Sequence, residues 1–103
     1  MQPHTVAHSM LLQDDAFWAQ VLTQQPFYVD GLEFEDYAPA FRLGHSRWRD
    51  DTLIEDVLAR LGEDWEEIKG QSRLTWFEAR DAVRAAWERR GRMQQPLPDA
   101  EAA

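Results

Sequence analysis

Residues 51–90, DTLIEDVLARLGEDWEEIKGQSRLTWFEARDAVRAAWERR, decide the fold class of this chain. In the first half of the stretch, large apolar residues recur at alternating steps of four and three, the spacing of one face of an α-helix. These residues are Ile54, Leu58, Leu61, Trp65 and Ile68. The second half has a similar face, formed by Trp76, Ala79, Val83, Ala86 and Trp87. Because only a short turn near Gly70 separates the two faces, we expect the two helices to pack against each other.

Residues that commonly cap helices stand at the predicted ends of these two helices. In chain order they are Thr52 with Glu55, Ser72 or Thr75 with Glu78, and Gly91. A hydroxyl residue followed three positions later by a glutamate is the spacing of a capping box. A glycine directly after the last periodic residues is typical of a C-terminal cap.

Two further helices are predicted upstream. The first spans residues 11–24, where apolar residues keep a helical spacing until Pro26 ends it. The second lies within residues 32–49, with Asp36 as its N-cap and Pro39 in its first turn, where a missing amide proton costs little. One face of this helix carries Tyr37, Phe41, Gly44 and Trp48. The glycine on that face would let another helix approach closely.

Between these two helices stands an aromatic segment, residues 26–31, PFYVDG. Asp30-Gly31 favours a tight turn, and Phe27 and Val29 alternate as in an extended chain. A lone short strand has no partner here, so we expect an extended linker that lays aromatic side chains across the helices.

Together these patterns predict an all-α fold, a small four-helix bundle-like domain with an aromatic extended linker between helices 1 and 2. With 103 residues the chain has room for one hydrophobic core. We expect a flexible N-terminal arm at residues 1–10 and a single helical domain at residues 11–92. Residues 93–103 are polar and interrupted by prolines, which predicts a disordered tail.

The composition narrows the possible classes of function. The absence of cysteine excludes disulfides, thiol catalysis and cysteine-ligated metals. No run of about 18 apolar residues occurs, and residues 1–20 lack the pattern of a secretory signal, so we expect a cytoplasmic protein. The net charge of −8 disfavours direct binding to nucleic acid or to an anionic membrane.

The charges are unevenly distributed along the chain. Residues 1–67 hold fourteen acidic and four basic side chains, whereas residues 68–92 hold three acidic and seven basic ones. The acidic part could dock on the basic part of the same chain or of another copy, or it could simply be a solvated surface. Four acidic residues near the end of the third helix are candidate interaction residues: Glu63, Asp64, Glu66 and Glu67.

A small group of cations and one aromatic residue stands near the end of the second helix: Arg42, His45, Arg47, Trp48 and Arg49. This composition is typical of a phosphate or nucleic-acid patch, but the surrounding acidic residues favour intramolecular pairing with acidic helices. Arg42 could pair with Asp64 or Glu67, or stack on Trp48. His45 is interpreted as a cation at a helix end rather than as a general base.

No catalytic, cofactor or metal site is predicted. The sequence offers no nucleophile with a base nearby and no phosphate-binding glycine loop. Its acidic pairs would have to converge from different helices to bind a divalent cation, and no Glu-x-x-His motif of a di-iron bundle occurs. We therefore expect a protein that is not an enzyme.

Three motifs support a family resemblance: Tyr37-Ala38-Pro39-Ala40-Phe41-Arg42-Leu43-Gly44, Asp64-Trp65-Glu66 and Ala86-Trp87-Glu88-Arg89. They resemble the pattern Tyr-x-Pro-Ala-Tyr-Arg-Tyr-Gly, Asp-Trp-Glu and Ala-Trp-Glu-Arg of a family of small, mostly uncharacterised bacterial proteins. The same module is similar to the C-terminal extension of some bacterial general-stress proteins. Phe41 and Leu43 replace tyrosines of the pattern, which suggests that these positions pack rather than react. The resemblance implies a helical fold and a stress-associated context, and Tyr37 in its first motif is a further candidate interaction residue.

We therefore expect a non-enzymatic, stress-associated helical module that binds a protein partner or associates with itself through an aromatic surface. The alternative is an acidic inhibitor or nucleic-acid mimic that occupies a basic groove on a partner through residues 63–67. Salt should separate the two hypotheses, because charge mimicry weakens steeply with ionic strength and aromatic association does not.

Overall fold

The computed structural model describes residues 13–94, and every regular element in this range is helical. Helix α1 covers residues 13–21 of the described chain and passes into a short 3-10 turn, Leu22–Gln24. Three longer helices follow: α2, Phe34–Arg47; α3, Ile54–Ile68; and α4, Trp76–Gln94. No strand occurs in the described range, so the predicted all-α class with four helices is confirmed there.

The predicted N-terminal arm and most of the predicted tail lie outside the described residues. Met93 and Gln94, which the prediction assigned to the tail, belong to α4. Within residues 13–94 no helix combines the length and the apolar composition that crossing a membrane requires.

Helix α4 packs most extensively against α2 and to a lesser extent against α3. Gly44 of α2 lies so close to α4 that a Cβ atom there would overlap the carbonyl oxygen of Val83. Helix α4 contributes small, fully buried residues: Ala79, Ala82, Val83 and Ala86. The close approach predicted for Gly44 is confirmed. The predicted packing of α3 against α4 is confirmed. The contact between α2 and α4 is nevertheless the larger one, because small side chains bring these two helices closer than the larger side chains of α3 allow.

Helix α3 is attached through the central part of its predicted apolar face. Leu58, Leu61 and Trp65 are buried, and the Trp65 indole Nε1 donates a hydrogen bond to the Leu74 carbonyl oxygen at 2.9 Å. The rings of Trp65 and Trp76 are in contact, with centroids 5.9 Å apart. Ile68 is 37% exposed because it lies in the last turn of the helix, beyond this contact.

The aromatic linker between α1 and α2 packs on the core as predicted. Phe27 and Tyr28 lie partly buried against it, and no strand forms in the linker. The Leu32 N–H donates to the Val29 carbonyl oxygen at 3.1 Å, which closes a turn around Gly31. Gly31 has a φ of +94°, a conformation that favours glycine, so the predicted Asp-Gly turn is confirmed.

The predicted starts of α2 and α3 need correction. Helix α2 begins at Phe34 with Glu33 as its N-cap, so Asp36 lies inside the first turn, where it accepts the Glu33 N–H at 3.0 Å. Pro39 consequently lies in the second turn of the helix. The N-cap of α3 is Leu53 without a side-chain bond, and the Thr52 hydroxyl donates to Asp51 instead.

At the start of α4 the predicted capping box is confirmed. The Thr75 N–H donates to Glu78 Oε1 at 2.9 Å, and the Glu78 N–H donates to Thr75 Oγ1 at 3.3 Å. The predicted C-cap at Gly91 is wrong, because the helix continues to Gln94. Gly91 instead leaves room for the indole of Trp48, whose Nε1 would lie 2.8 Å from a Cβ atom at this position.

Candidate functional site

His45 was predicted to be a cation at a helix end and a candidate interaction residue, but the structure places it in the interior. It is 6% exposed, and its Nδ1 lies 2.8 Å from Asp14 Oδ2. On the other side of the ring, Arg90 Nη1 lies 2.6 Å from Nε2. Arginine can only donate hydrogen bonds, so Nε2 is the acceptor for Arg90. The ring proton is then on Nδ1, which donates a hydrogen bond to Asp14. His45 is therefore a neutral link between two charged residues and not a cation that a partner could contact.

Asp14 connects this histidine to a second arginine. It is 3% exposed, and its Oδ1 accepts a hydrogen bond from Arg89 Nε at 3.4 Å. The Arg89 guanidinium lies 3.6 Å from the centre of the Phe17 ring, a cation–π contact. Asp14, His45, Arg89 and Arg90 thus form a polar network that joins α1, α2 and α4, with Asp14 and His45 buried and the two arginines partly exposed.

The same network occupies both ring nitrogens of His45, so neither nitrogen is free to act as a general base. An Asp–His pair orients an imidazole for catalysis when its free nitrogen faces a nucleophile. Here that nitrogen accepts from Arg90, and the ring is buried. The arrangement holds helices together and leaves no reactive atom exposed at this position.

Arg42 forms an ion pair, but not with either predicted carboxylate. Its Nε and Nη2 donate to Asp15 Oδ2 at 3.1 and 2.7 Å, a two-pronged contact between α2 and α1. Asp15 raises the pKa of Arg42 above its ordinary value through these hydrogen bonds. The predicted pairing with Asp64 or Glu67, or stacking on Trp48, is wrong.

The three remaining residues of the predicted basic cluster, Arg47, Trp48 and Arg49, lie at the end of α2 and directly after it. Arg47 is exposed and Trp48 is half-buried. Trp48 lines a shallow depression with Trp87, Glu88, Gly91 and Arg92 of α4. The cluster is therefore divided. His45 is interior, and Arg42 pairs with Asp15 of α1. Arg47 and Arg49 are exposed, and Arg49 Nε lies 3.4 Å from Asp51 Oδ1.

Tyr37 is fully buried and cannot contact a partner. Its hydroxyl accepts the Val29 N–H at 2.9 Å and donates to the Phe27 carbonyl oxygen at 3.1 Å. Burial raises the pKa of Tyr37 above its ordinary value. This motif residue fixes the aromatic linker on the core, which corrects its prediction as an interaction residue.

A second buried carboxylate, Asp36, joins α2 to the loop before α4. It is 5% exposed and accepts from Arg73 Nε at 3.1 Å and from Arg73 Nη2 at 2.7 Å. The Arg73 guanidinium holds the pKa of the Asp36 carboxyl well below its usual range, against the opposing effect of burial. The Ser72 hydroxyl, predicted as a possible cap of α4, donates to the Asp36 backbone oxygen instead.

The acidic candidates Glu63, Asp64, Glu66 and Glu67 are all exposed on the outer side of α3. Glu66 pairs with Lys69, with 2.9 Å between Oε1 and Nζ. In the described part of the chain, no group of three or more carboxylate or imidazole side chains converges in a way that could hold a metal ion. These residues form a charged helix face rather than a coordination site.

An open groove between α3 and α4 is a feature that the sequence did not reveal. It has a volume of about 420 Å³ and is lined by Glu55, Leu58, Ala59, Trp76, Arg80, Asp81 and Arg84. Phe77 is 72% exposed, and the Arg80 guanidinium lies 4.5 Å from the centre of its ring. The one available signal was that Phe77 falls outside the periodic apolar face that begins with Trp76.

Comparisons of the chain with protein-family models, with curated proteins and with solved structures found no match in any of the three.

Proposed function

We propose that this protein is a non-enzymatic helical interaction module that binds a protein partner through the groove between α3 and α4. The observation that carries this proposal is the exposed ring of Phe77, which contacts Arg80 on the wall of that groove. Large aromatic side chains next to arginine are typical of the few residues that dominate binding energy at protein interfaces. Leu58, Ala59 and Trp76 add apolar surface to the groove on which a partner side chain could pack.

The interior of the domain supports a binding role over a chemical one. The polar groups that could have taken part in a reaction, Asp14, His45, Asp36 and Tyr37, are buried and hydrogen-bonded to other parts of the chain. Their partners come from other elements of the fold, namely α1, α2, the linker, α4 and the loop before α4, so these bonds stabilise the fold. The surface of the described residues includes an exposed aromatic ring, an open groove and charged helix faces.

The stress-associated context rests on the resemblance to the extension of bacterial general-stress proteins. That resemblance covers residues which the structure places mainly in the interior, such as Tyr37, Phe41, Trp65 and Trp87. A shared interior predicts a shared fold, whereas the partner is selected at the surface. We therefore propose a stress-associated module without inferring its partner from the resemblance.

Crosslinking in cells, followed by purification of tagged protein, tests the proposal. Phe77→Ala should abolish a crosslinked species that the wild type forms. Met93→Ala is the matched control, since Met93 is an exposed apolar residue at the other end of the same helix, at 47% exposure. Crosslinked species that are identical in wild type and Phe77→Ala would contradict the proposed docking surface.

The outer side of α3 favours a second candidate function, that of an acidic inhibitor or nucleic-acid mimic. Four of its carboxylates, at residues 63, 64, 66 and 67, are exposed, and only Glu66 is paired within the described chain. Neutralising them to amides should abolish partner capture at low salt if this function is correct, while Phe77→Ala should leave it intact. The opposite pattern would support the groove.

A further inference from the structure

The solvent side of α4 next to the groove carries four residues at positions i, i+3, i+4 and i+7: Phe77, Arg80, Asp81 and Arg84. This spacing places them along one face of the helix. Phe77, Arg80 and Asp81 are exposed, and the Arg84 side chain is 38% exposed. We call these four residues the α4 face.

The α4 faces of two copies have complementary charges when a two-fold axis relates the copies. An interface between identical copies is self-complementary when residue i of one copy meets residue j of the other and the reverse also holds. If two α4 helices lie antiparallel with the axis between positions 80 and 81, Arg80 of each copy faces Asp81 of the other. Phe77 of each copy then faces Arg84 of the other. Both meetings are favourable, the first as an ion pair and the second as a cation–π contact.

The groove supplies space for the aromatic ring in this arrangement. Arg84 lies on the groove wall and donates to Glu55 of α3 at 3.3 Å. A ring that contacts Arg84 from a second copy therefore lies at the groove whose lining also includes Leu58 and Ala59. A cavity of about 150 Å³ is enough for benzene, and the groove measures about 420 Å³.

The local charge on α4 also favours this surface over the rest of the molecule. The chain carries a net charge of −8, which opposes association through most of its surface. Residues 68–92, which include α4 up to Arg92, hold seven basic and three acidic side chains. Contact through α4 therefore avoids bringing the acidic sides of two copies together.

We propose that the occupant of the groove is a second copy of this chain, which docks through antiparallel α4 faces and inserts Phe77 reciprocally. This inference rests on the proposed function and identifies its partner. The arrangement requires that Arg80 of one copy contacts Asp81 of the other copy, rather than Asp81 of its own chain.

Charge exchange at these two positions tests the contact. Arg80→Glu places two acidic groups opposite each other, and Asp81→Arg places two basic groups opposite each other. Each single variant should weaken association by more than about tenfold. The double variant Arg80→Glu/Asp81→Arg restores both ion pairs with reversed polarity. An equimolar mixture of the two single variants also restores them, because glutamate at position 80 then meets arginine at position 81, and Asp81 meets Arg80.

Sedimentation and light scattering over a range of concentrations give the molar mass of each sample. We expect a dimer for the wild type, for the double variant and for the mixture, and a monomer for each single variant at the same concentration. Arg92→Glu and Glu63→Arg are matched controls, because they make the same changes of charge at exposed positions away from the α4 face. They should leave the dimer unchanged, and thermal melts should confirm that every variant is folded.

The possible failures are distinguishable. A monomeric wild type, or single variants that dimerise like the wild type, would overturn the second copy as occupant. If Phe77-dependent crosslinking to another protein persisted in that case, the interaction module would survive with a different partner. Loss of both self-association and Phe77-dependent crosslinking would overturn the proposed function as well.

Discussion

Helix α4 makes two interfaces that are built differently. Its contact with α2 is tight, with Gly44 against the backbone near Val83 and with His45 bonded to Arg90. Its contact with α3 depends on the rings of Trp65 and Trp76 and leaves an open groove beside them. Small residues make a close and continuous interface, whereas large rings hold helices together at a few points and leave space between them. We propose that a partner binds at the open groove beside the loosely filled α3–α4 interface.

The largest loss of stability is expected from removing the Trp65 ring, which packs α3 against the rest of the core. Trp65 is 1% exposed, so Trp65→Ala should lower the free energy of unfolding by about 3–5 kcal/mol, through lost burial and the cavity left behind. Urea unfolding followed by circular dichroism measures this change. Leu53→Ala, at a residue that is 70% exposed at the start of the same helix, should change it by less than about 0.5 kcal/mol. Similar losses for the two variants would contradict a core position for Trp65.

Alanine substitutions at two glycines, one at each interface of α4, compare how tightly the two interfaces are packed. Alanine at Gly44 meets the backbone of α4, which cannot yield, and Gly44→Ala should destabilise by about 1–3 kcal/mol. Alanine at Gly62 meets Nε1 of the Trp76 ring, at 2.6 Å from the added Cβ. That ring borders the open groove and can shift, and alanine gains about 1 kcal/mol of helix propensity, so Gly62→Ala should lie near neutral. Equal melting temperatures for the two variants would mean that the interfaces do not differ in tightness.

A smaller loss of stability is expected at low pH. It comes from the ion pair between Asp36 of α2 and Arg73 in the loop before α4. Arg73 and the N–H groups of Glu33 and Arg73 keep the pKa of Asp36 well below its unfolded value, despite the opposing effect of burial. The stabilisation is therefore complete above about pH 4 and is lost as the pH falls through the folded-state pKa. Because the Arg73 side chain is 59% exposed and screened by water, the expected decline is about 1 kcal/mol.

Urea unfolding at neutral and acidic pH measures this decline, and Asp36→Asn should reduce it. Asp56→Asn removes an exposed carboxylate from α3 and serves as the control. A decline that is the same in Asp36→Asn and in the wild type would show that other carboxylates cause it.

The features that sequence predicted well are those that depend on neighbours along the chain. The apolar periodicity located Trp65 in the core, and the spacing of Thr75 and Glu78 identified a capping box. The close approach at Gly44 was also predictable, since a glycine on an apolar helix face has few other uses.

The polar contacts of the interior were not predictable in the same way. His45 bonds to residues 31 positions before it and 45 positions after it, and no local pattern specifies either partner. Asp36 suits a helix N-cap as well as it suits a partner for Arg73, and only the tertiary fold decides between these roles. Phe77 was overlooked because the sequence pattern marks only the apolar face of α4 that packs in the core, and Phe77 lies outside that face, 72% exposed.

The smallest effect on stability should accompany the largest effect on binding. Phe77 is 72% exposed, so Phe77→Ala should change the free energy of unfolding by less than about 0.5 kcal/mol. Because Phe77 is the aromatic residue that each copy inserts in the proposed interface, its loss should nevertheless weaken association about tenfold or more. Thermal melts and sedimentation of the same samples measure both quantities. A marked loss of stability without a change in association would place Phe77 with the residues that hold α3 on α4, and the groove would then be an imperfection of packing rather than a surface for a partner.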